Sequence, residues 1–142
     1  MNSPDKEIMQ EKLSALQTYY RELRELQYLT YEEYCSNYLY KRTAERLLQL
    51  IVETATDINN MVLKVIGKET PTDYYSSFIK MAECNVFPMD FALEIAPSTG
   101  MRNIIVHEYQ KIDDRLVHAS IRETLKYYLR YMECLEKYLE NN

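Results

Sequence analysis

The chain has 142 residues and a formal net charge of −5, with two glycines, four prolines, fourteen tyrosines and no tryptophan. So few turn-formers point to a handful of long elements rather than many short ones, and the length suits one domain spanning residues 1–142. The acidic balance has no basic block of the kind that marks a broad nucleic-acid face, and no apolar run approaches the roughly 20 residues needed to cross a bilayer.

The N-terminus, Met1-Asn2-Ser3-Pro4-Asp5, has neither an apolar core nor an export signature, so a cytoplasmic protein with no membrane partner is expected. Cys35, Cys84 and Cys134 are far apart and odd in number. They fit neither a disulfide framework nor a zinc spacing and read as free thiols in a reducing compartment. No metal is expected.

The first helix is predicted from about Asp5 to Tyr28, where Met9, Leu13, Leu16, Tyr20 and Leu23 recur in steps of three and four. Thr30 followed by Glu33 is a capping-box pattern that starts a second helix. Its apolar line runs through Tyr34, Tyr38, Ala44, Leu48, Ile51, Ala55, Ile58, Val62 and Val65 to a stop at Gly67. Leu47, Leu50 and Met61 widen that stripe, which places this helix centrally.

Pro71 marks a loop, and Thr70 or Thr72 is expected to cap a third helix reaching about Cys84. A brief helix follows over Met89–Ala96, then another from Ser98 to about Tyr109 after Pro97. The last helix, Asp113 to Leu139, opens with two acids and buries Val117, Ile121, Leu125, Tyr128, Met132, Leu135 and Leu139. Tyr127, Tyr131 and Tyr138 run beside that stripe and suit either an interface or a wet bundle rim. The fold class is therefore all-α, an antiparallel up-and-down bundle of four to five main helices.

On an ideal helix, Met101, Ile104, Ile105, Val106 and Tyr109 fill one apolar arc, and Arg102 falls inside it. Asn103 and His107 share the opposite polar edge. An arginine on an apolar face needs a carboxylate, a phosphate or another chain. Glu45, Glu53 and Asp57 lie on one line of the second helix and are candidate partners. His118 stands alone on the last helix and carries no evident chemistry.

The string Gly100-Met101-Arg102-Asn103-Ile104-Ile105-Val106-His107-Glu108-Tyr109 resembles the signature of the HEPN superfamily. More narrowly, Arg, four residues, His, one residue, Tyr is similar to the HepT-like branch. Pro71 to Phe78, the short helix at Met89–Ala96 and Asp113-Asp114 also stand where that family has similar residues. The resemblance implies a small helical homodimer acting as a ribonuclease toxin on mRNA or tRNA, partnered by a minimal nucleotidyltransferase antitoxin. It implies that Arg102 and His107 from two subunits meet at the dimer interface and cleave RNA without a metal or other cofactor. It further implies that the antitoxin, with ATP as donor, silences the toxin by placing AMP on Tyr109.

The residue types suit that chemistry. An imidazole titrates near neutrality and can take the proton of a ribose 2′-hydroxyl, the role expected of His107. A fixed guanidinium, Arg102, can bind the phosphoryl oxygens as charge develops, while Asn103 can orient His107 or hold a phosphate oxygen. Arg102 and His107 stand roughly 140° apart on an ideal helix, which argues for two copies facing each other. In the same projection Tyr109 lies near Arg102, so AMP there is expected to neutralise that arginine and fill the cleft. The acidic net charge leaves two alternatives open: a non-catalytic helical partner that binds nucleotide or regulates a nucleotidyltransferase, and a dimerisation module in which Arg102 serves only in an ion pair.

Overall fold

The computed structural model describes residues 1–142 and contains seven α-helices: α1 (Ser3–Arg24), α2 (Tyr31–Ser36), α3 (Tyr38–Val65), α4 (Tyr74–Glu83), α5 (Met89–Ile95), α6 (Ser98–His107) and α7 (Asp114–Glu140). A 3-10 turn, Tyr109–Lys111, links α6 to α7. No strand forms, as expected for an all-α bundle. Side-chain ties give the helix directions. Gln17 reaches Glu136 while the carbonyl of Leu29 meets His118, so α1 and α7 are antiparallel. Lys41 pairs with Asp114 and the Ala55 carbonyl meets Tyr131, so α3 and α7 run the same way. Arg102 meets Glu53 and Tyr109 meets Glu45, so α6 returns antiparallel along α3.

Two boundaries differ from the expected ones. The first helix ends at Arg24 rather than Tyr28, because the backbone tightens into i−3 bonds from Glu25 N to Glu22 O and from Leu26 N to Leu23 O. The expected long second helix is broken at Asn37, whose extended backbone (φ −142°, ψ 118°) ends α2 and whose side chain accepts from the Leu39 N–H to open α3. The capping box at Thr30 and Glu33 forms with both reciprocal bonds, at 3.1 and 3.0 Å. Asp73, rather than Thr70 or Thr72, caps α4 by accepting from the Ser76 N–H at 2.8 Å. That bond holds its carboxyl below the usual carboxylate range.

The core is continuous and centres on α3 and α7, with Ile51, Ala55, Ile58, Val62, Val117, Ile121 and Leu135 buried. Each fully buried aliphatic side chain of this kind contributes roughly 1.5–3 kcal/mol. An aromatic cluster of Phe78, Phe87, Phe91, Tyr128 and Tyr131 fills one end, mostly edge to face. Tyr131 therefore belongs to neither a rim nor an interface. It is fully buried, and its hydroxyl donates to the Ala55 carbonyl (2.9 Å) and to Asn59 Oδ1 (2.6 Å), while Asn59 donates to Ser77 (3.0 Å). Its neighbours Tyr127 and Tyr138 are only half-buried. His118 is also not bare: its Nε2 lies 2.7 Å from the Leu29 carbonyl, and its ring meets Tyr31 and Tyr34. It anchors the α1–α2 connection to α7.

Candidate active site

Helix α6 is anchored at its start and free at its end. Ser98 Oγ is 2.8 Å from the Tyr128 hydroxyl, and buried Thr99 donates to the Ala96 carbonyl at 2.9 Å. Ile105 seats the middle of the helix in the core. At the far end Glu108 leaves helical geometry (φ −134°, ψ 42°), although its N–H still donates to the Ile104 carbonyl at 2.9 Å. Arg102, Asn103 and His107 thus sit on a fixed rod. Tyr109 lies outside it, in the 3-10 turn, a correction to the expectation that the helix carries it.

Arg102 is the half-buried cation anticipated for an apolar face, and its partner is Glu53. Both Nε (2.9 Å) and Nη2 (2.7 Å) donate to Glu53 Oε2, which also accepts from Gln49 at 3.3 Å. Nη1 donates to Asn103 Oδ1 at 3.3 Å, and the guanidinium lies over the Tyr74 ring, 4.3 Å from its centroid. Carboxylate, amide and ring together leave the guanidinium little rotational freedom. Asn103 thus touches Arg102 and also lines the hollow that His107 borders.

His107, the last residue of α6, is exposed. It shares with Arg102 and Asn103 an open hollow of about 600 Å³, closed on the other side by Thr72, Asp73 and Tyr74 at the start of α4. The separation of Arg102 and His107 on an ideal wheel thus does not keep them from one hollow. Both side chains are long enough to reach it, and the loop before α4 supplies the facing wall.

Tyr109 does not line that hollow. It is exposed, at 46 %, and its hydroxyl donates to Glu45 Oε1 at 2.7 Å. Glu45 is almost completely buried, and Arg42 Nη1 donates to both its oxygens at 3.1 and 3.0 Å. The bond to Glu45 is the main reason the Tyr109 phenol is raised above its ordinary pKa, with burial and the carboxylate charge adding to it and Arg42 opposing. Glu45 and Glu53 are two turns apart, about 12 Å along the axis of α3. Within one chain, then, the cation beside Tyr109 is Arg42, 5.6 Å from the ring centroid, and not Arg102. The helical projection had placed Tyr109 near Arg102, which fails because the helix stops first.

Three contributors escaped the sequence. Tyr74 and Asp73 lie in the Pro71–Phe78 stretch that carries part of the family likeness, but nothing in that stretch points to either side chain at the site. Arg42, three residues before Glu45, was visible only as an ordinary i,i+3 pair. Glu45 did carry a signal, being a carboxylate between Ala44 and Leu47 on the buried stripe, but its partners are Tyr109 and Arg42.

Residues 16–135 match the family described as Ribonuclease HepT-like. A relative from Aphanizomenon flos-aquae (strain 2012/KM1/D3), described as tRNA nuclease HepT, is 31% identical over 132 residues, covering 93% of this chain and 90% of the relative. Among solved structures, the tri-AMPylated Shewanella oneidensis HEPN toxin in complex with an MNT antitoxin superposes with a TM-score of 0.82 at 19% identity, covering 96% of this chain and 99% of the other. The cytosolic protein YutE of Bacillus subtilis superposes with a TM-score of 0.78 at 15% identity, covering 93% and 91%. At those identities the structural likeness establishes a shared fold, while the match over most of the sequence identifies the lineage: this chain belongs to the ribonuclease HepT-like family.

Proposed function

We propose that the protein is the toxin of a type VII (HepT/MntA-like) toxin–antitoxin pair, an endoribonuclease that cleaves tRNA without a metal. The observation that carries the reading is one open hollow lined both by Arg102, whose guanidinium is fixed by Glu53 and Asn103, and by the exposed His107. The tRNA class is drawn from the relative described as a tRNA nuclease.

His107 takes the proton of a ribose 2′-hydroxyl as that oxygen attacks the adjacent phosphorus. Arg102 binds the phosphoryl oxygens while negative charge develops on them, and Asn103 holds the guanidinium in place. The bond to the 5′-oxygen breaks, leaving a 2′,3′-cyclic phosphate and, after protonation, a 5′-hydroxyl. The working form is a homodimer in which the two hollows meet across the interface. That arrangement supplies a second imidazole for the leaving oxygen, and apolar Val106, exposed beside His107, suits burial there.

Control is by a minimal nucleotidyltransferase antitoxin that uses ATP to place AMP on Tyr109. Support comes from the exposure of that ring and from the AMPylated HEPN toxin whose fold this chain shares. The group adds bulk and negative charge beside the turn that follows His107, which opposes the approach of an RNA backbone.

Purified protein incubated with tRNA in EDTA tests the nuclease reading, with His107→Ala alongside. Fragments ending in cyclic phosphate, lost in the variant, are expected. Intact tRNA in both preparations overturns it.

A further inference from the structure

Glu45 presents a problem that its surroundings only partly explain. Its side chain is 4% exposed, on the face of α3 that also buries Ala44 and Leu48. A buried carboxylate costs several kcal/mol unless its charge is met, and an apolar residue of similar volume commonly serves stability as well or better. Arg42 meets the charge by bridging both oxygens. The remaining strong bond comes from the hydroxyl of Tyr109, at 2.7 Å, on a residue that is otherwise half in solvent. Nearby, the hydroxyl of Tyr34 is buried with no side-chain or backbone partner, so Arg42 and Tyr109 are the groups that bond the Glu45 carboxylate.

The geometry points to Glu45 as the proton acceptor and positioning residue for adenylyl transfer onto Tyr109. This rests on the reading of Tyr109 as the modified residue. The phenolic oxygen must be held still, and its proton must have a destination when the oxygen becomes a nucleophile. One bond supplies both. Tyr109 Oη attacks the α-phosphorus of a nucleoside triphosphate carried by the partner transferase. The Oη–P bond forms, the bridging bond between the α- and β-phosphates breaks, pyrophosphate leaves with the bonding pair, and the phenolic proton passes to Glu45 Oε1.

The same bond keeps the resting phenol protonated, so no free phenolate is stored. The proton leaves only as the new bond strips the oxygen of its basicity. Arg42, with about half its side chain open to solvent, bridges both oxygens of the carboxylate and leaves Oε1 bonded to the phenol as well. Once the carboxyl has released its proton to solvent, a carboxylate faces a phosphodiester, with Arg42 the nearby cation. The groups facing Glu45 are Arg42 on α3, Tyr109 in the turn and Tyr34 on α2, and the same three groups also feel the charge of Asp114 on α7, which is paired with Lys41.

The test is a time course of toxin, partner nucleotidyltransferase and ATP, read by intact mass and by fragment mapping of the modified residue. Wild type, Tyr109→Phe, Glu45→Gln and Glu45→Asp are compared, each checked by thermal melting. Wild type is expected to gain adenylyl at Tyr109, and Tyr109→Phe to gain none there. Glu45→Gln, which can hold the hydroxyl but not take its proton, is expected to react about 10²-fold slower. It should also lose the fall in rate on acidification that a carboxylate acceptor gives. Glu45→Asp keeps an acceptor one methylene short and recovers part of the rate. Modification of Tyr109 in Glu45→Gln at the wild-type rate and with the wild-type pH profile overturns this inference alone. If Glu45→Gln does not fold, a wild-type rate in Glu45→Asp together with a rate indifferent to acidification overturns it. Wild type that gains no adenylyl at Tyr109 overturns the inference and the modification reading together.

Discussion

Arg102 and Glu53 are joined through one oxygen: the Nε and Nη2 of the arginine both donate to Oε2, at 2.9 and 2.7 Å. The pair is half-buried and aims the guanidinium, so it has both a structural and a positioning effect. Arg102→Lys keeps the charge but cannot reproduce two fixed donors. We expect cleavage of tRNA to fall by about 10²-fold or more, with a much smaller shift in the urea midpoint. Equal activity in the lysine variant would reduce Arg102 to an ion-pair residue.

Glu53→Gln removes the charge that meets the guanidinium while keeping the shape. A stability loss of about 1–3 kcal/mol is expected by urea unfolding, below the cost for a fully buried pair because solvent reaches both side chains. Cleavage should fall with it, since Arg102 then loses its aim. A variant as stable as wild type and fully active would leave the pair with neither role.

His107→Ala should separate chemistry from stability. The side chain is exposed at a helix end, so unfolding should change by no more than about 0.5 kcal/mol. Cleavage should drop by about 10²–10⁴-fold. Circular dichroism melts and a gel assay on one preparation read both quantities.

Tyr131→Phe removes a hydroxyl that serves two buried acceptors, the Ala55 carbonyl and Asn59 Oδ1. Leaving them without that donor should cost about 1–3 kcal/mol in chemical denaturation. A neutral result would mean that water or a shift of Asn59 replaces the bond.

Alkaline pH should unfold the chain through its buried tyrosines. Burial raises the phenols of Tyr34, Tyr128 and Tyr131 well above the ordinary value near 10. The folded state therefore keeps protons that the unfolded chain releases. Their contribution is fully present below about pH 10 and is lost as pH rises toward the raised values. Urea midpoints should fall between pH 9 and 11, and phenolate absorbance should rise in step with unfolding. Absorbance that rises while the far-ultraviolet dichroism stays native would contradict this.

Much of the bundle was legible because periodicity reports burial directly. The α7 stripe, the middle of the α3 stripe and the capping box at Thr30 appear where the pattern puts them, while Tyr38 and Val65 at the two ends of α3 are exposed because the core stops short of them. Asn37 did not show itself, because the apolar line continues across it and the break depends on one side chain bonding the Leu39 N–H. The half-buried Arg102 was readable from its place in an apolar arc, down to Glu53 among three candidate partners. The seat of Tyr109 was not. Helical projection presumes a helix, and nothing local announces that it stops at His107; the hydroxyl that finds Glu45 crosses 64 positions of sequence. Tyr74 and Asp73 at the hollow pose the same difficulty, since long-range proximity leaves no periodic trace.

The interruption at Glu108 gives the motif two mechanical compartments. One is the helical rod that carries Arg102 and His107; the other is a clasp latched to α3 by a single hydroxyl. A clasp can be unlatched by modification without bending the rod, and a clasp from which the group is later removed can close on the same carboxylate. Reversal would then require only loss of the group, with no refolding of the helix that carries Arg102 and His107.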